Sequence, residues 1–257
     1  MKSKLSSLVV TGLTICAALW AMPETVNGQI YVGNFGSGTI GEYNPDGTTI
    51  NASLVSGLTY PEGIAVSGGN IFVANMGIGT IGEYTTAGAT VNASLVSGLD
   101  QPFGLAVSGG KIFAAVLGPS TIGQYTTAGA TVNASLVSGL SAPMGLAVSG
   151  GNIFVANFNS GTIGEYTTAG ATVNASLISG LNAPVGLAVS GGHIFVANNY
   201  GGTIGEYTTA GATVNASLVS GLNYPTFLDV EQVPEPSSFG LLALGLGVLP
   251  FLRLQRK

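Results

Sequence analysis

Basic charge, cysteine, histidine and tryptophan are nearly missing from this chain. Its 257 residues include one cysteine, Cys16, one histidine, His193, and one tryptophan, Trp20, and charged residues make up only 7%. Cys16 lies in an apolar N-terminal stretch, so everything after it must hold together without disulfides. Of the six basic residues, Lys2 and Lys4 open the chain and Arg253, Arg256 and Lys257 close it, which leaves only Lys111 in between. Binding to a phosphate backbone needs a basic footprint, so nucleic acid and anionic membranes are excluded as partners. Hydrophobic content of 46% is normal for a packing protein and rules out a disordered one, even with 41 glycines.

What the chain does have is a strict period. Thr-Ile-Gly-(Glu/Gln)-Tyr begins at Thr39, Thr80, Thr121, Thr162 and Thr203, 41 residues apart, with prolines in register at Pro61, Pro102, Pro143, Pro184 and Pro225. A repeat of this length signals stacked supersecondary units that cannot bury their apolar surface alone. Each unit reads as four short strands separated by turn chemistry. In residues 64–98 these are Ile64-Ala-Val66, Ile71-Phe-Val-Ala74, Thr80-Ile-Gly-Glu-Tyr84 and Ala89 to Val96, joined by Gly-Gly, Gly-containing and Ala-Gly turns. The second strand is apolar on both faces, as in a sheet sandwiched between neighbours. The fourth alternates, which places it outermost and half wet.

Four-stranded meanders packed radially describe an all-β, five-bladed β-propeller over residues 29–230. The chain enters at a second strand, Ile30-Tyr-Val-Gly33, and a first strand, Leu228-Asp-Val230, follows the fifth copy. The two termini therefore share one closing blade. A sheet face of this size covers roughly 300 Å², so each open end would forgo about 7 kcal/mol, enough to favour closure or end-to-end pairing. Phe227 and Asp229 replace the Gly and Ala of other copies and make that closing strand an imperfect fit.

The flanks read as targeting segments. Residues 1–21 carry Lys2 and Lys4, an apolar stretch from Leu8 to Trp20 and small residues near Ala21, the pattern of a signal helix. Residues 233–257 run Val233-Pro234-Glu235-Pro236, then an apolar helix from Phe239 to Leu252, then a basic tail. That run is short for a lasting membrane span of ~20 residues, and the positive charge after it keeps the tail cytoplasmic.

In this order, Pro234-Glu235-Pro236, apolar helix and basic tail closely resemble the PEP-CTERM sorting signal of Gram-negative bacteria that make extracellular polysaccharide. The resemblance implies processing by an exosortase near Pro234 to Pro236, transient inner-membrane anchoring through Phe239 to Leu252, and a final place at the cell surface or in the extracellular matrix. Pro61 to Asn75 and Pro184 to Asn198 resemble NHL-type repeats and the blades of streptogramin lyases. That likeness implies a fold and leaves activity open, because such blades carry binding scaffolds and enzymes alike.

Comparison of the five copies locates their variation. It concentrates in the segment around each proline and in the loop between second and third strands, both expected on one face of the disc. That face offers Tyr60, Glu62, Asp100, Gln101, Phe103, Phe35, Phe158, Tyr200 and Tyr224, a set suited to stacking on sugar rings or small apolar ligands. Glu42, Glu83, Glu165 and Glu206 recur at one position near the rim, with Gln124 in the third copy. They are expected to diverge as solvated or backbone-bonded carboxylates, with no metal. His193, in a hairpin on the opposite face, reads as a solvated turn residue without a carboxylate partner. Asparagines ending the second strand read as turn caps. No catalytic constellation and no cofactor is expected. The sequence thus favours an exported binding scaffold for a glycan or envelope protein, with a lyase- or lactonase-type enzyme and a passive spacer as alternatives.

Overall fold

The computed structural model describes residues 29–226, which are all-β with no helix among them. Nineteen strands form five antiparallel meanders. The first has three strands, β1 (Ile30–Asn34), β2 (Thr39–Tyr43) and β3 (Thr49–Val55). The second has four, β4 (Pro61–Ser67), β5 (Asn70–Asn75), β6 (Thr80–Thr85) and β7 (Thr90–Val96). The third comprises β8 (Pro102–Ser108), β9 (Lys111–Val116), β10 (Thr121–Thr126) and β11 (Thr131–Val137); the fourth, β12 (Pro143–Ser149), β13 (Asn152–Asn157), β14 (Thr162–Thr167) and β15 (Thr172–Ile178); the fifth, β16 (Pro184–Ser190), β17 (His193–Asn198), β18 (Thr203–Thr208) and β19 (Thr213–Val219). The five-bladed propeller read from the period is therefore the observed architecture. The expected closing strand at Leu228 to Val230, the signal helix and the apolar helix all lie outside the described residues.

Each inner strand is longer than its apolar triplet suggested, because it starts at the proline. Proline fits a strand's first position, where a missing N–H costs no ladder bond. The ladder between β4 and β5 runs from Pro61 opposite Asn75 to Ser67 opposite Asn70, with a bulge between Pro61 and Ile64. Neighbouring inner strands meet backbone to backbone: a Cβ on Gly63, Gly104 or Gly145 would overlap the carbonyl oxygen of Phe103, Met144 or Val185 in the next blade.

The core lies in the seams between blades. Phe72, Ala74, Ile81 and Val96 of the second blade pack against Leu105, Ile112, Ala114 and Tyr125 of the third. The same positions repeat between the third and fourth blades and between the fourth and fifth. Between the first and second, Ile40 and Val55 meet Ile71, Val73 and Tyr84. Second strands are thus buried on both faces, as their composition required. At the two ends of the described arc, Ile30 and Val32 on one side and Val219 on the other are exposed, whereas their counterparts between blades, such as Ile71, Val73 and Val96, are buried.

The fourth strand departs from its expected alternation. Thr90 to Ser94 are all exposed, including Val91 at 53%, and only Leu95 and Val96 turn into the seam. Register shifts on both sides of Glu83 in the β6–β7 ladder break the pleat. At each shift the outer-strand asparagine side chain accepts its own blade's backbone N–H two residues on, as from Ser94 to Asn92 Oδ1 at 3.0 Å. The repeated Asn-Ala-Ser is a bulge former at the rim.

Two further expectations are corrected. Glu42, Glu83 and Glu165 are buried, and none is a freely solvated carboxylate. Asn70 Nδ2 donates to Glu83 at 2.7 Å and Asn152 Nδ2 to Glu165 at 2.6 Å, tying the first hairpin to the third strand. His193 replaces that asparagine in the fifth blade and is not alone: its Nδ1 lies 2.8 Å from Glu206 Oε1. The contact is a hydrogen bond when Nδ1 carries its proton. In the third blade the neutral Gln124 takes the place of the acid, and its Nε2 donates to the Thr168 carbonyl of the next blade at 3.1 Å.

The loop between second and third strands is crossed by the connection to the next blade, with Leu99 N–H donating to the Gly79 carbonyl at 3.0 Å. Gly79 sits at φ +66°, and a Cβ there would overlap the Leu99 carbonyl oxygen. Gly69 shares the left-handed backbone, at φ +79°, but faces open space. In chemical denaturation, Gly69→Ala should therefore cost about 1 kcal/mol from backbone conformation alone, and Gly79→Ala at least ~2 kcal/mol more. Equal losses would show that the loop crossing contributes nothing.

Candidate functional site

One face of the disc carries all the variable loops. Inner strands start there, second strands end there, and the connections between blades return there, as the pairing of Pro61 with Asn75 requires. Within a blade the two loops are bonded to each other: Met76 N–H donates to the Tyr60 carbonyl at 3.0 Å and Gly77 N–H to that of Thr59 at 3.1 Å. The same pair of bonds joins Leu117 and Gly118 to Gln101 and Asp100.

These bonds fix an unusual backbone. The residue before each proline, Tyr60, Gln101, Ala142, Ala183 and Tyr224, has φ between +48° and +59° although none is glycine. A left-handed conformation in a non-glycine residue costs about 1 kcal/mol and persists where its surroundings over-determine it. Here the paired loops do so at Tyr60, Gln101, Ala142 and Ala183, a position whose identity changes between copies.

The structure brings the expected aromatic residues into two groups. Phe35 and Tyr60 stack with centroids 4.7 Å apart and planes 19° from parallel. Phe158 meets Tyr200 edge-on at 5.5 Å, and Tyr200 meets Tyr224 at 6.4 Å, linking the fourth and fifth blades. Tyr60, Tyr200 and Tyr224 are exposed, so each group presents ring surface to solvent. A hollow of about 280 Å³ between Phe158, Asn159, Asn182 and Tyr200 adjoins the second group.

Asp100 and Gln101 stand apart from both groups, exposed at the entry to the third blade, beside a cleft of about 370 Å³ lined by Leu99, Asp100, Val116, Pro119, Thr121 and Tyr125. Phe103 and Glu62 are half-buried at equivalent positions of β8 and β4. Burial pushes the Glu62 carboxyl up to about 7. Among the described residues no group of three or more His, Cys, Asp or Glu side chains is placed to hold a metal ion.

The asparagines ending the second strand are caps, but on a side chain and not on their own backbone. Asn75 Nδ2 donates to Thr80 Oγ1 at 3.3 Å and Asn198 Nδ2 to Thr203 Oγ1 at 3.2 Å. What sequence reading missed is the cleft of the third blade, although its signal, valine where four copies have asparagine, is visible in the alignment of repeats.

Residues 232–257 match the PEP-CTERM protein-sorting motif. No curated protein sequence matches the chain. Among solved structures, the nidogen of a nidogen/laminin complex superposes with a TM-score of 0.71 at 17% identity, covering 81% of this chain and 83% of that one. A streptogramin B lyase gives 0.66 at 19%, covering 81% and 72%. Virginiamycin B lyase from Staphylococcus aureus gives 0.64 at 17%, covering 79% and 71%. At such identities the likeness is one of fold. The chain thus joins a five-bladed propeller resembling those of nidogen and streptogramin B lyase to a C-terminal PEP-CTERM sorting motif.

Proposed function

We propose that this is an exported, non-enzymatic binding scaffold whose variable face holds a glycan or an envelope protein outside the cell. The sorting motif supports export and membrane-associated processing by an exosortase-type enzyme acting near Pro234, Glu235 and Pro236. The finer placement, at the cell surface or in the extracellular matrix of a Gram-negative bacterium, is part of the same reading. The observation that carries the binding role is the exposure of Tyr200 and Tyr224 in one edge-on pair on a face built from rigidly paired loops. Aromatic rings held in place lose little conformational freedom on binding and stack on the C–H faces of sugars or on apolar side chains.

Retention of the full chain on the exopolysaccharide or outer-envelope fraction of its producing cells tests this directly. Tyr200→Ala combined with Tyr224→Ala should weaken retention about tenfold, the worth of one to two lost ring contacts. Undiminished retention of the double variant would remove the face from the reading.

A second reading, a lyase- or lactonase-type enzyme, is favoured by one group: a carboxyl with a pKa near 7 suits general acid–base work. Turnover of any substrate abolished by Glu62→Gln would establish it. The same carboxyl affects stability whichever reading holds. Its folded pKa of about 7 lies above the ordinary 4.5, so the folded state resists ionisation. Below pH 4.5 the group is protonated in both states and has no effect; between 4.5 and 7 the unfolded chain alone gives up the proton, and stability falls. Because Glu62 is only half-buried, solvent screening reduces the loss to about 1 kcal/mol. Denaturation midpoints at pH 5 and pH 8 should differ more for the wild type than for Glu62→Gln.

A further inference from the structure

The third blade breaks the pattern of the others at one position. Second strands end in asparagine in the other four, and each Nδ2 donates to the threonine opening the third strand: Asn34 to Thr39 at 3.2 Å, Asn75 to Thr80 at 3.3 Å, Asn157 to Thr162 at 3.4 Å and Asn198 to Thr203 at 3.2 Å. Asn75 and Asn198 also hydrogen-bond the hydroxyls of Tyr84 and Tyr207. The third blade has Val116. Thr121, only 4% exposed, therefore keeps a buried hydroxyl without a protein partner, and Tyr125 lacks the amide that Tyr84 and Tyr207 have. An unpaired buried polar atom calls for an explanation; the second and fifth blades leave Asn75 Oδ1 and Asn198 Oδ1 unpaired at this corner, and the third leaves the threonine hydroxyl.

Thr121 and Tyr125 line the 370 Å³ cleft, between the Leu117-Gly118-Pro119-Ser120 loop and the incoming Leu99-Asp100 connection, with the Thr121 hydroxyl itself buried behind the wall. Asp100 closes one side: its carboxylate lies so near Gly118 that a Cβ there would overlap Oδ2. The loop itself is altered to match. Ser120 stands at φ +56° where the other four copies have glycine, and its Oγ donates to the Leu117 carbonyl at 3.3 Å.

We propose that this cleft is a subsite for a single neutral sugar ring, bound through Asp100 and Tyr125. The inference rests on the glycan reading of the face and gives it an address. Asp100 accepts hydrogen bonds, and Tyr125 with its phenol kept protonated by burial donates. Adjacent ring hydroxyls, each donor and acceptor at once, satisfy such a mixed set. An ammonium only donates and leaves the Tyr125 proton unused. A phosphate or carboxylate meets the Asp100 charge, while the one lysine among the described residues, Lys111, begins β9 in the hairpin of the opposite face. Leu99, Val116 and Pro119 supply an apolar wall for the C–H side of the ring. The volume is at the small end of ligand pockets, which run from roughly 300 to 1,000 Å³, and suits one ring and not a chain of them.

Amide chemical shifts of the full chain, titrated with the methyl α-pyranosides of glucose, galactose and mannose, test the subsite. Methylammonium and inorganic phosphate serve as charged controls. At least one glycoside should move the amides of Asp100, Val116 and Thr121 with a millimolar dissociation constant, and Asp100→Asn should raise that constant at least about tenfold. Val116→Asn restores the asparagine of the other blades, so the variant should keep or gain thermal stability and lose the shifts. Silence with all three glycosides up to about 50 mM overturns the proposal, as do shifts unchanged in Val116→Asn or a response to methylammonium or phosphate alone. Should Val116→Asn fail to fold, the exposed Asp100→Asn decides by itself. A wild type that is retained on exopolysaccharide yet silent to the glycosides rejects the subsite while leaving the face reading intact; shifts without retention do the reverse.

Discussion

Everything in this propeller depends on the burial of one blade's flat face against the next. A four-stranded meander has too little surface to form a core of its own, and the seams supply it. Phe72 and Ala74 of one second strand point into one seam while Ile71 and Val73 of the same strand point into the other. Burying apolar area at ~25 cal/mol per Å² on both faces stabilises each sheet far more than its own hairpins could. The inner strands need glycine where backbones meet across blades, and the tyrosine ending each third strand caps the seam. Charge has little part in this scheme, in keeping with its scarcity in the sequence.

That rigid disc explains how one face can vary freely. The paired loops are anchored by backbone bonds, which are indifferent to side-chain identity, so Tyr60, Gln101, Ala142 and Ala183 occupy the same left-handed conformation. Substitution there changes what the face presents without changing the path of the chain. The opposite face has main-chain bonds too, such as Thr86 N–H to the Gly69 carbonyl, and adds side-chain ties: Asn70 with Glu83, Asn152 with Glu165, and His193 with Glu206. One side of the disc is fixed by main chain and open to change; the other is fixed in addition by side chains that must match.

Fold and strand order were legible because a strict period, alternating turn chemistry and a doubly apolar second strand all point to radial stacking. The placement of the variable loops on one face followed from meander geometry alone. Other features were hidden by their dependence on neighbours. The burial of Glu83 and the pairing of His193 require knowing that the first hairpin and the third strand lie side by side in register, which a linear reading of isolated polar residues did not consider. The exposure of Val91, Val132 and Val173 reflects bulges that disrupt the pleat at the rim, and alternation in sequence does not reveal where a ladder slips. Asp100 was found as a variable polar residue, but its place in one cleft with Val116 and Tyr125 appears only once the loops are folded together.

The near-identity of the seams has a bearing on heredity. Since nearly the same side chains meet at the junctions among the second to fifth blades, duplication or loss of one whole unit joins surfaces that already fit. Tandem genes coding such units are prone to misaligned recombination, and here the products of that error would remain foldable until ring geometry itself objects. Descendants could thus trade blades bearing different loops as single cassettes, renewing what the disc displays faster than point mutation permits.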